Sequence, residues 1–204
     1  MSKLESEKFY EKMHLRRSVR EFDTQSIDEI ILLNAIRTAG TAPSGANKQP
    51  WYFALITSQD LKNRIRSAAE KVEGEFYSAK APQSWLKDLE VFKTSHHKPY
   101  LTEAPALIAV FSRYLIESSS GQMERAYYPL ESTGIAVGLL LTALHLSGLS
   151  TLTHTPRPMG FLNTELNLDA SYRPFMIVVA GYPKKPMALP NICRKELDQI
   201  LGRY

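Results

Sequence analysis

Apolar residues recur with helical spacing in two early segments of the chain. Over residues 26–39 the apolar positions fit one face of a helix: Ile30, Leu33, Ile36 and Ala39. Ser26, with an acid three residues later at Glu29, predicts the N-terminal cap, and Gly40 predicts the end. A second amphipathic helix is predicted over residues 59–79, with an apolar stripe made of Leu61, Ile65, Ala68, Val72 and Phe76.

Continuous apolar runs predict the strands. Residues 51–56, 104–111 and 174–181 are apolar without alternation, which is typical of strands buried on both faces, and residues 150–155 form a further candidate strand. Strands and helices alternate, so we expect a sheet covered by helices on both faces. Residues 82–103 show no clean periodicity, and a short helix is expected within residues 194–201.

One apolar run admits two interpretations. Residues 133–152 carry almost no charge and are about as long as a membrane span. His145 and several hydroxyl side chains argue against a span, and a helix apolar all round also suits a protein core or an oligomer interface. We expect the core or interface helix of a soluble protein.

Composition limits the classes of protein. The chain has 204 residues, 44% hydrophobic and 23% charged, which suits one domain with its own core. A formal charge of +4, with acids interleaved among the bases, gives no argument for nucleic acid but is compatible with an anionic cofactor. Cys193 is the only cysteine, so an intramolecular disulfide is excluded and a cytoplasmic setting is expected. The polar N-terminus does not resemble a signal peptide or membrane anchor.

Two early segments could contact a ligand. If residues 16–20 are extended, Arg16, Ser18 and Arg20 point to one side, which suits an anion; a solvated basic patch is the alternative. In the loop at residues 41–50, Gly45 would let the backbone approach a ligand, although the same residues suit a plain turn before a strand. No G-x-G-x-x-G sequence occurs, so dinucleotide binding of the Rossmann kind is excluded.

Other candidate groups lie further along the chain. Glu73 and Tyr77 share a helix face, and with Lys98 they could hold both ends of an amino-acid zwitterion, although each taken alone also suits a surface position. Residues 153–155 end a strand, where a threonine hydroxyl could donate to a cofactor ring nitrogen or simply cap the strand. His96 and His97 lack further ligands at metal spacing, so no metal site is predicted.

These segments together resemble a known family over nearly the whole chain. RRSVR at 16–20, TAPSGANKQPW at 41–51, THTP at 153–156 and the ending GYP…RKELDQIL are similar to the FMN-dependent nitroreductase superfamily. Within it, the set formed by Glu73, Tyr77, Trp85 and Lys98 resembles the lid of the iodotyrosine deiodinase branch.

The resemblance implies an α+β fold with a central mixed sheet flanked by helices. It implies one FMN-binding domain over residues 1–204, with residues 73–103 as an active-site lid, in an intertwined homodimer with FMN at the interface. Implied FMN contacts are Arg16, Arg17, Ser18, Arg20, Ser44, Gly45, Thr153, His154, Thr155 and Arg194. Thr155 is the implied catalytic donor to flavin N5. His154 stands where threonine is typical of the family.

The implied activity is reductive dehalogenation of halotyrosines, which releases halide and tyrosine without a protein nucleophile. Glu73 would bind the α-ammonium, Lys98 the α-carboxylate and Tyr77 would bridge them, while the Ala46 N–H would hold the phenolate oxygen. Electrons would reach the flavin from NAD(P)H or a reductase. The alternatives are a general nitroreductase or quinone reductase, in which the three lid residues do not converge, and a flavin-binding protein without turnover.

Overall fold

A computed structural model describes residues 2–118, 120–187 and 189–204, apart from the side chains of residues 79 and 80. The helices are α1 (Lys3–His14), α2 (Glu29–Ala39), α3 (Gln59–Glu75), α4 (Gln83–Glu90), α5 (Tyr100–Glu103), α6 (Pro129–Leu146) and α7 (Phe161–Leu166). The strands are β1 (Trp51–Ile56), β2 (Ala106–Arg113), β3 (Leu115–Glu117), β4 (Met123–Arg125), β5 (Ser150–His154) and β6 (Tyr172–Gly181). Short 3₁₀ turns occur at Gly45–Asn47 and Leu197–Gln199.

The central sheet has the strand order β1-β2-β6-β5 in the described part of the chain. Neighbouring strands are antiparallel. Ser18 adds a parallel bridge to Thr151 at the β5 edge, so the sheet is mixed there. The strands predicted at residues 51–56, 104–111, 150–155 and 174–181 are confirmed to within two residues at their ends.

Helices cover both faces of the sheet, as predicted. On one face, Ile65 of α3, Leu101 of α5 and Leu162 of α7 pack against Phe111 and Val179. On the other face, the second core cluster joins α2 and α6 to the sheet: Leu32, Ala35, Leu140, Leu144, Ile108 and Val178. Each strand residue in the middle of β2 is therefore buried whichever way it points, which is the reason for its uninterrupted apolar run.

The apolar helix α6 is a packed helix with one buried stripe. Its inward residues are Ser132, Thr133, Ala136, Val137, Leu140 and Leu144. Length and composition alone would let Pro129–Leu146 cross a membrane, and 39% of that stretch is buried inside the protein. On its other side Leu130, Ile135 and Leu146 are exposed, so an apolar face is left over after the core has formed.

Two local predictions differ from the structure, and some elements were not predicted. Asp28, not Ser26, caps α2, because its carboxylate accepts from the Ile30 N–H at 3.1 Å. The helix predicted over residues 59–79 ends as an α-helix at Glu75 and continues as a π-helix over Phe76–Lys80. Helix α1 and the β3–β4 hairpin were not predicted.

Candidate functional site

The basic segment at residues 16–20 is extended and fixed beside β5. The Val19 N–H donates to the carbonyl oxygen of Thr151 at 3.1 Å, and Ser18 pairs with Thr151 in parallel register. Because the two segments run parallel, Arg20, two residues after Ser18, lies near Thr153, two residues after Thr151. The two segments predicted to bind a cofactor are thus neighbours.

Cationic side chains surround a cavity of about 270 Å³. Its described lining residues are Arg16, Arg17, Ser18, Arg20, Phe92, Pro190, Ile192 and Arg194, and none of them is acidic. Burial, followed by the charges of Arg194 and Arg17, lowers the pKa of Arg16. Crowded guanidinium groups of this kind gain most from an anion that accepts from several of them.

Two arginines also tie the basic segment to the C-terminal segment. Arg194 donates to the carbonyl oxygens of His14 at 3.0 Å and Arg16 at 2.5 Å, and Arg17 donates to that of Pro190 at 2.5 Å. These bonds orient the guanidinium groups before any ligand binds. Arg194, 178 residues from Arg16 in the sequence, is therefore part of the same site.

An adjoining cavity of about 380 Å³ extends from the arginines toward the predicted lid. Both cavities share Ser18, Arg20, Phe92 and Pro190, and the larger one reaches Tyr100. The Arg20 guanidinium lies 4.8 Å from the centre of the Phe92 ring. The segment after α4 therefore rests directly on the basic segment.

Glu73, Tyr77 and Lys98 converge. The Lys98 ammonium lies 2.9 Å from Glu73 Oε2 and 5.3 Å from the centre of the Tyr77 ring. Lys98 is only 3% exposed, and it also donates to the hydroxyl of Thr94 at 3.3 Å. The surface alternative considered for Lys98 is wrong, and the three residues form one group, called here the clamp.

Two further aromatic rings extend from the clamp, one packed on the other. Phe76 packs edge-on against Tyr77 at 5.8 Å and against Trp85 at 5.1 Å between ring centres. Burial, opposed in part by a hydrogen bond with Thr94, raises the pKa of the Tyr77 phenol. Trp85 is half exposed and reaches the clamp only through Phe76.

His154 lies beside the clamp and is neutral. It is 6% exposed, and its Nδ1 is 3.2 Å from the Tyr100 hydroxyl. Burial, with the nearby charge of Lys98, lowers the pKa of His154 to about 3. Its buried Nε2 has no hydrogen-bond partner among the described residues. Thr153 and Thr155, in contrast, are exposed at the end of β5.

The loop at residues 44–49 is held in a strained conformation. Ala46, Asn47 and Gln49 have φ angles of 50°, 53° and 47°, in the left-handed region that non-glycine residues rarely adopt. The Ser44 hydroxyl accepts from the Gln49 N–H at 2.9 Å and closes the loop. Strain of this kind is common at functional sites, where it aims backbone groups.

Gly45 allows a close contact with Tyr127 that was not predicted from the sequence. A Cβ placed there would lie 2.8 Å from the Cβ of Tyr127, just before α6. Gly45 was expected to let the backbone approach a ligand. Within one chain, the group that approaches its backbone closely is Tyr127. Ser44, Gly45 and Ala46 line neither of the two cavities formed by the arginines and the lid.

Sequence reasoning missed three residues of the site: Glu70, Thr94 and Tyr100. Glu70 lies one helical turn before Glu73 and accepts from the Lys98 N–H at 2.7 Å. An acid at i−3 from Glu73 on the same helix face was visible in the sequence, but its partner, 28 residues away, was not.

Comparisons with known proteins agree with this architecture. A family model described as "Nitroreductase family" matches residues 14–182. The iodotyrosine deiodinase of Haliscomenobacter hydrossis is 43% identical over 199 residues, which cover 98% of this chain and 90% of that protein. Human iodotyrosine deiodinase 1 is 39% identical over 197 residues, covering 96% of this chain and 68% of that protein.

A solved structure, oxidised iodotyrosine deiodinase bound to FMN and 3-iodo-L-tyrosine, superposes with a TM-score of 0.83 at 32% identity. The match covers 96% of this chain and 98% of that one. A family match across most of the chain, near-complete coverage of relatives and this shared fold lead to one conclusion: the chain belongs to the nitroreductase family, alongside its iodotyrosine deiodinases.

Proposed function

We propose that this protein is an FMN-dependent oxidoreductase that removes halide reductively from halotyrosines. The observation that carries the proposal is the clamp, in which the Lys98 ammonium lies 2.9 Å from Glu73 Oε2. A cation and an anion side by side in a largely buried position are complementary to the two charges of a free amino acid. The relatives named above support the same substrate class.

The residues present fit FMN. Four arginines, Arg16, Arg17, Arg20 and Arg194, offer guanidinium donors around one cavity, as a phosphate requires, and Ser18 adds a hydroxyl. The unpartnered, buried Nε2 of His154 is a polar atom for which a ring system with hydrogen-bonding edges could provide a partner. When bound, FMN supplies the electrons for reduction.

We assign the ribityl phosphate to the arginines and Ser18, and the flavin ring to residues 153–155. In this assignment the exposed Thr155 donates to flavin N5. Its position just beyond β5 leaves the hydroxyl free of the sheet. An Arg17→Ala, Arg194→Ala double variant should retain less FMN through gel filtration than the wild-type protein, while Lys87→Ala on α4 should retain as much.

The clamp acts on the substrate by charge exchange. The substrate α-ammonium replaces Lys98 at the Glu73 carboxylate, and its α-carboxylate takes the Lys98 ammonium, with Tyr77 bridging the two. No buried charge is left unpaired at either end, whereas a singly charged analogue that pairs with Glu73 leaves Lys98 unpaired, and a neutral phenol gains no ion pair at all. Closure of the lid, residues 73–103, over the bound ligand excludes water and strengthens these contacts.

The chemical change is a two-electron reduction. The carbon–halogen bond breaks, the halide leaves, and one proton and two electrons form the new carbon–hydrogen bond. The electrons come from NAD(P)H or a reductase by way of the flavin. The protein residues bind, orient and shield the substrate; the Ala46 N–H, aimed by its left-handed backbone, holds the phenolate oxygen.

We infer that two copies complete each site. Ser44, Gly45 and Ala46 line neither cavity of their own chain, and α6 presents the exposed apolar residues Leu130 and Ile135. A homodimer through this face would bring the loop of one copy to the flavin of the other. Sedimentation should give a mass near twice 23.1 kDa. We place the protein in the cytoplasm because its single cysteine, Cys193, is free and exposed.

The decisive experiment is a titration of the yellow protein followed by flavin fluorescence. Iodotyrosine should quench it at concentrations where iodophenol does not, because only the former carries the zwitterion. Equal response to the two ligands would refute the clamp and favour a general nitroreductase or quinone reductase. The convergence of Glu73, Tyr77 and Lys98 is the reason for preferring the specific activity.

A further inference from the structure

We infer that Glu70, together with Arg66, is a positioning pair that fixes Lys98 for the zwitterion and so sets substrate selectivity. Neither residue belongs to the clamp. The inference rests on the proposed function, since Lys98 has a substrate partner only if the ligand is an amino acid.

Glu70 binds the backbone of Lys98. Its Oε1 accepts from the Lys98 N–H at 2.7 Å and from Arg66 Nε, also at 2.7 Å. Lys98 is nearly fully buried, so its N–H needs an acceptor, and no carbonyl of the described chain supplies one. The Glu70 carboxylate meets that requirement.

Arg66 connects the same group of contacts to helix α5. Its Nη1 donates to the Thr102 hydroxyl at 2.9 Å, and that hydroxyl donates to the Pro99 carbonyl oxygen at 3.0 Å. Residues 98–102 are thus attached to α3 by side chains at two successive positions of one helix face. This attachment lies at the C-terminal end of the predicted lid.

Helix α3 therefore holds Lys98 at both ends. Glu70 binds its backbone, and Glu73, three residues later, binds its ammonium. When substrate takes the ammonium away from Glu73, the contact with Glu70 remains. Lys98 then has a fixed backbone from which its side chain can turn to the substrate carboxylate.

The pair does not act as a ligand for substrate itself. Both donors that bind Glu70 Oε1 come from the protein, and neither Glu70 nor Arg66 lines the two cavities of the site. Burial alone would raise the pKa of Glu70, but the hydrogen bonds from Lys98 and Arg66 lower it overall, so the carboxylate stays ionised as an acceptor. Its role is in placing Lys98.

The test compares ligands in Glu70→Ala and Glu70→Gln. Loss of a charge-assisted hydrogen bond that orders Lys98 should weaken iodotyrosine binding on the order of tenfold in Glu70→Ala. Iodophenol and FMN should bind as in the wild-type protein, because neither uses Lys98. Glu70→Gln should recover part of the loss, since its amide oxygen can still accept from the Lys98 N–H.

Asp60→Asn is the matched control. Asp60 also pairs with an arginine four residues on in α3, but that arginine, Arg64, contacts Glu165 and not the lid. Asp60→Asn should bind iodotyrosine, iodophenol and FMN with the same affinities as the wild-type protein. If Glu70→Ala does not fold, the preference for iodotyrosine over iodophenol is measured in Glu70→Gln and Arg66→Ala instead, and it should be reduced in both.

The outcomes separate the two ideas. If wild-type protein does not distinguish iodotyrosine from iodophenol, both the proposed function and this inference are overturned. If the wild-type protein distinguishes them and Glu70→Ala does so equally well, the inference alone is overturned. A parallel loss of iodotyrosine, iodophenol and FMN binding in Glu70→Ala would also overturn it, since that result indicates a purely structural role.

Discussion

Lys98→Met should change which ligand the protein prefers. Methionine keeps most of the length of the side chain but removes the ammonium that lies 2.9 Å from Glu73. In the wild-type protein, a zwitterion adds one ion pair, because the Glu73–Lys98 pair is replaced by two. A ligand with only an ammonium, iodotyramine, adds none, because pairing with Glu73 leaves Lys98 buried and alone.

In Lys98→Met, iodotyramine and not iodotyrosine is the ligand whose charges all find partners. Iodotyramine now pairs with the otherwise free Glu73, while the carboxylate of iodotyrosine is buried without a partner. At 2.9 Å the gross attraction of such a pair is about 6 kcal/mol for an effective dielectric constant near 20. Desolvation cancels much of it, and leaving one buried charge unpaired typically costs about 3 kcal/mol or more. The ratio of the two dissociation constants should therefore shift roughly 100-fold toward iodotyramine.

Flavin fluorescence titrations of both ligands measure this ratio, with Lys87→Met on the exposed face of α4 as the control. The absolute affinity for iodotyrosine should fall while that for iodotyramine holds or improves. If both ligands weaken by the same factor, Lys98 supports the lid without contacting the carboxylate, and the charge-exchange reasoning is refuted.

Three further predictions concern stability, each measured by denaturant unfolding at fixed protein and FMN concentrations. Because the pKa of His154 falls from 6.5 to about 3 on folding, the unfolded chain binds the proton first as pH falls, and stability is lost between these values. At pH 5 the loss relative to pH 7 should be about 2 kcal/mol greater than in His154→Thr, and equal pH slopes would contradict the neutral buried ring. Gly45→Ala should destabilise by roughly 1–3 kcal/mol through its clash with Tyr127, whereas Gly74→Ala, with open space around it, should be neutral or stabilising; similar effects at both would refute the contact. Lys62→Met removes a buried ammonium from the carbonyl oxygens at the end of α5 and should cost about 1–3 kcal/mol, while an unchanged midpoint would show that water replaces it.

The sequence predicted the elements whose burial leaves a direct pattern. Strands β1, β2 and β6 and the helices α2 and α6 were found because core contact on one or both faces produces apolar runs or stripes. Helix α1 was missed for the converse reason: none of its residues is buried, so no stripe exists. The β3–β4 hairpin has only three residues per strand, too few for alternation to be recognised.

The convergence of Glu73, Tyr77 and Lys98 could be expected only through the resemblance to the family. Glu73 and Lys98 are 25 residues apart, and an irregular segment separates them, so no periodicity places one against the other. Glu70 could not be paired with the Lys98 N–H from sequence, because a backbone group carries no residue-specific signal. Tyr127 and Gly45 meet through tertiary packing, which a local turn motif does not encode.

The π-helix at Phe76–Lys80 has an evolutionary consequence. A π turn contains about one residue more than an α turn, so removal of one codon in this stretch would let α3 continue as an ordinary helix. If the codon removed is that of Phe76, Tyr77 turns away from Lys98 by about 100° of helix rotation, and Ser78 takes its place four residues after Glu73. A single deletion, with no substitution at Glu73, Tyr77 or Lys98, would thus remove the phenol that lies beside Lys98. Loss of that phenol from the clamp therefore does not require any change at Glu73 or Lys98.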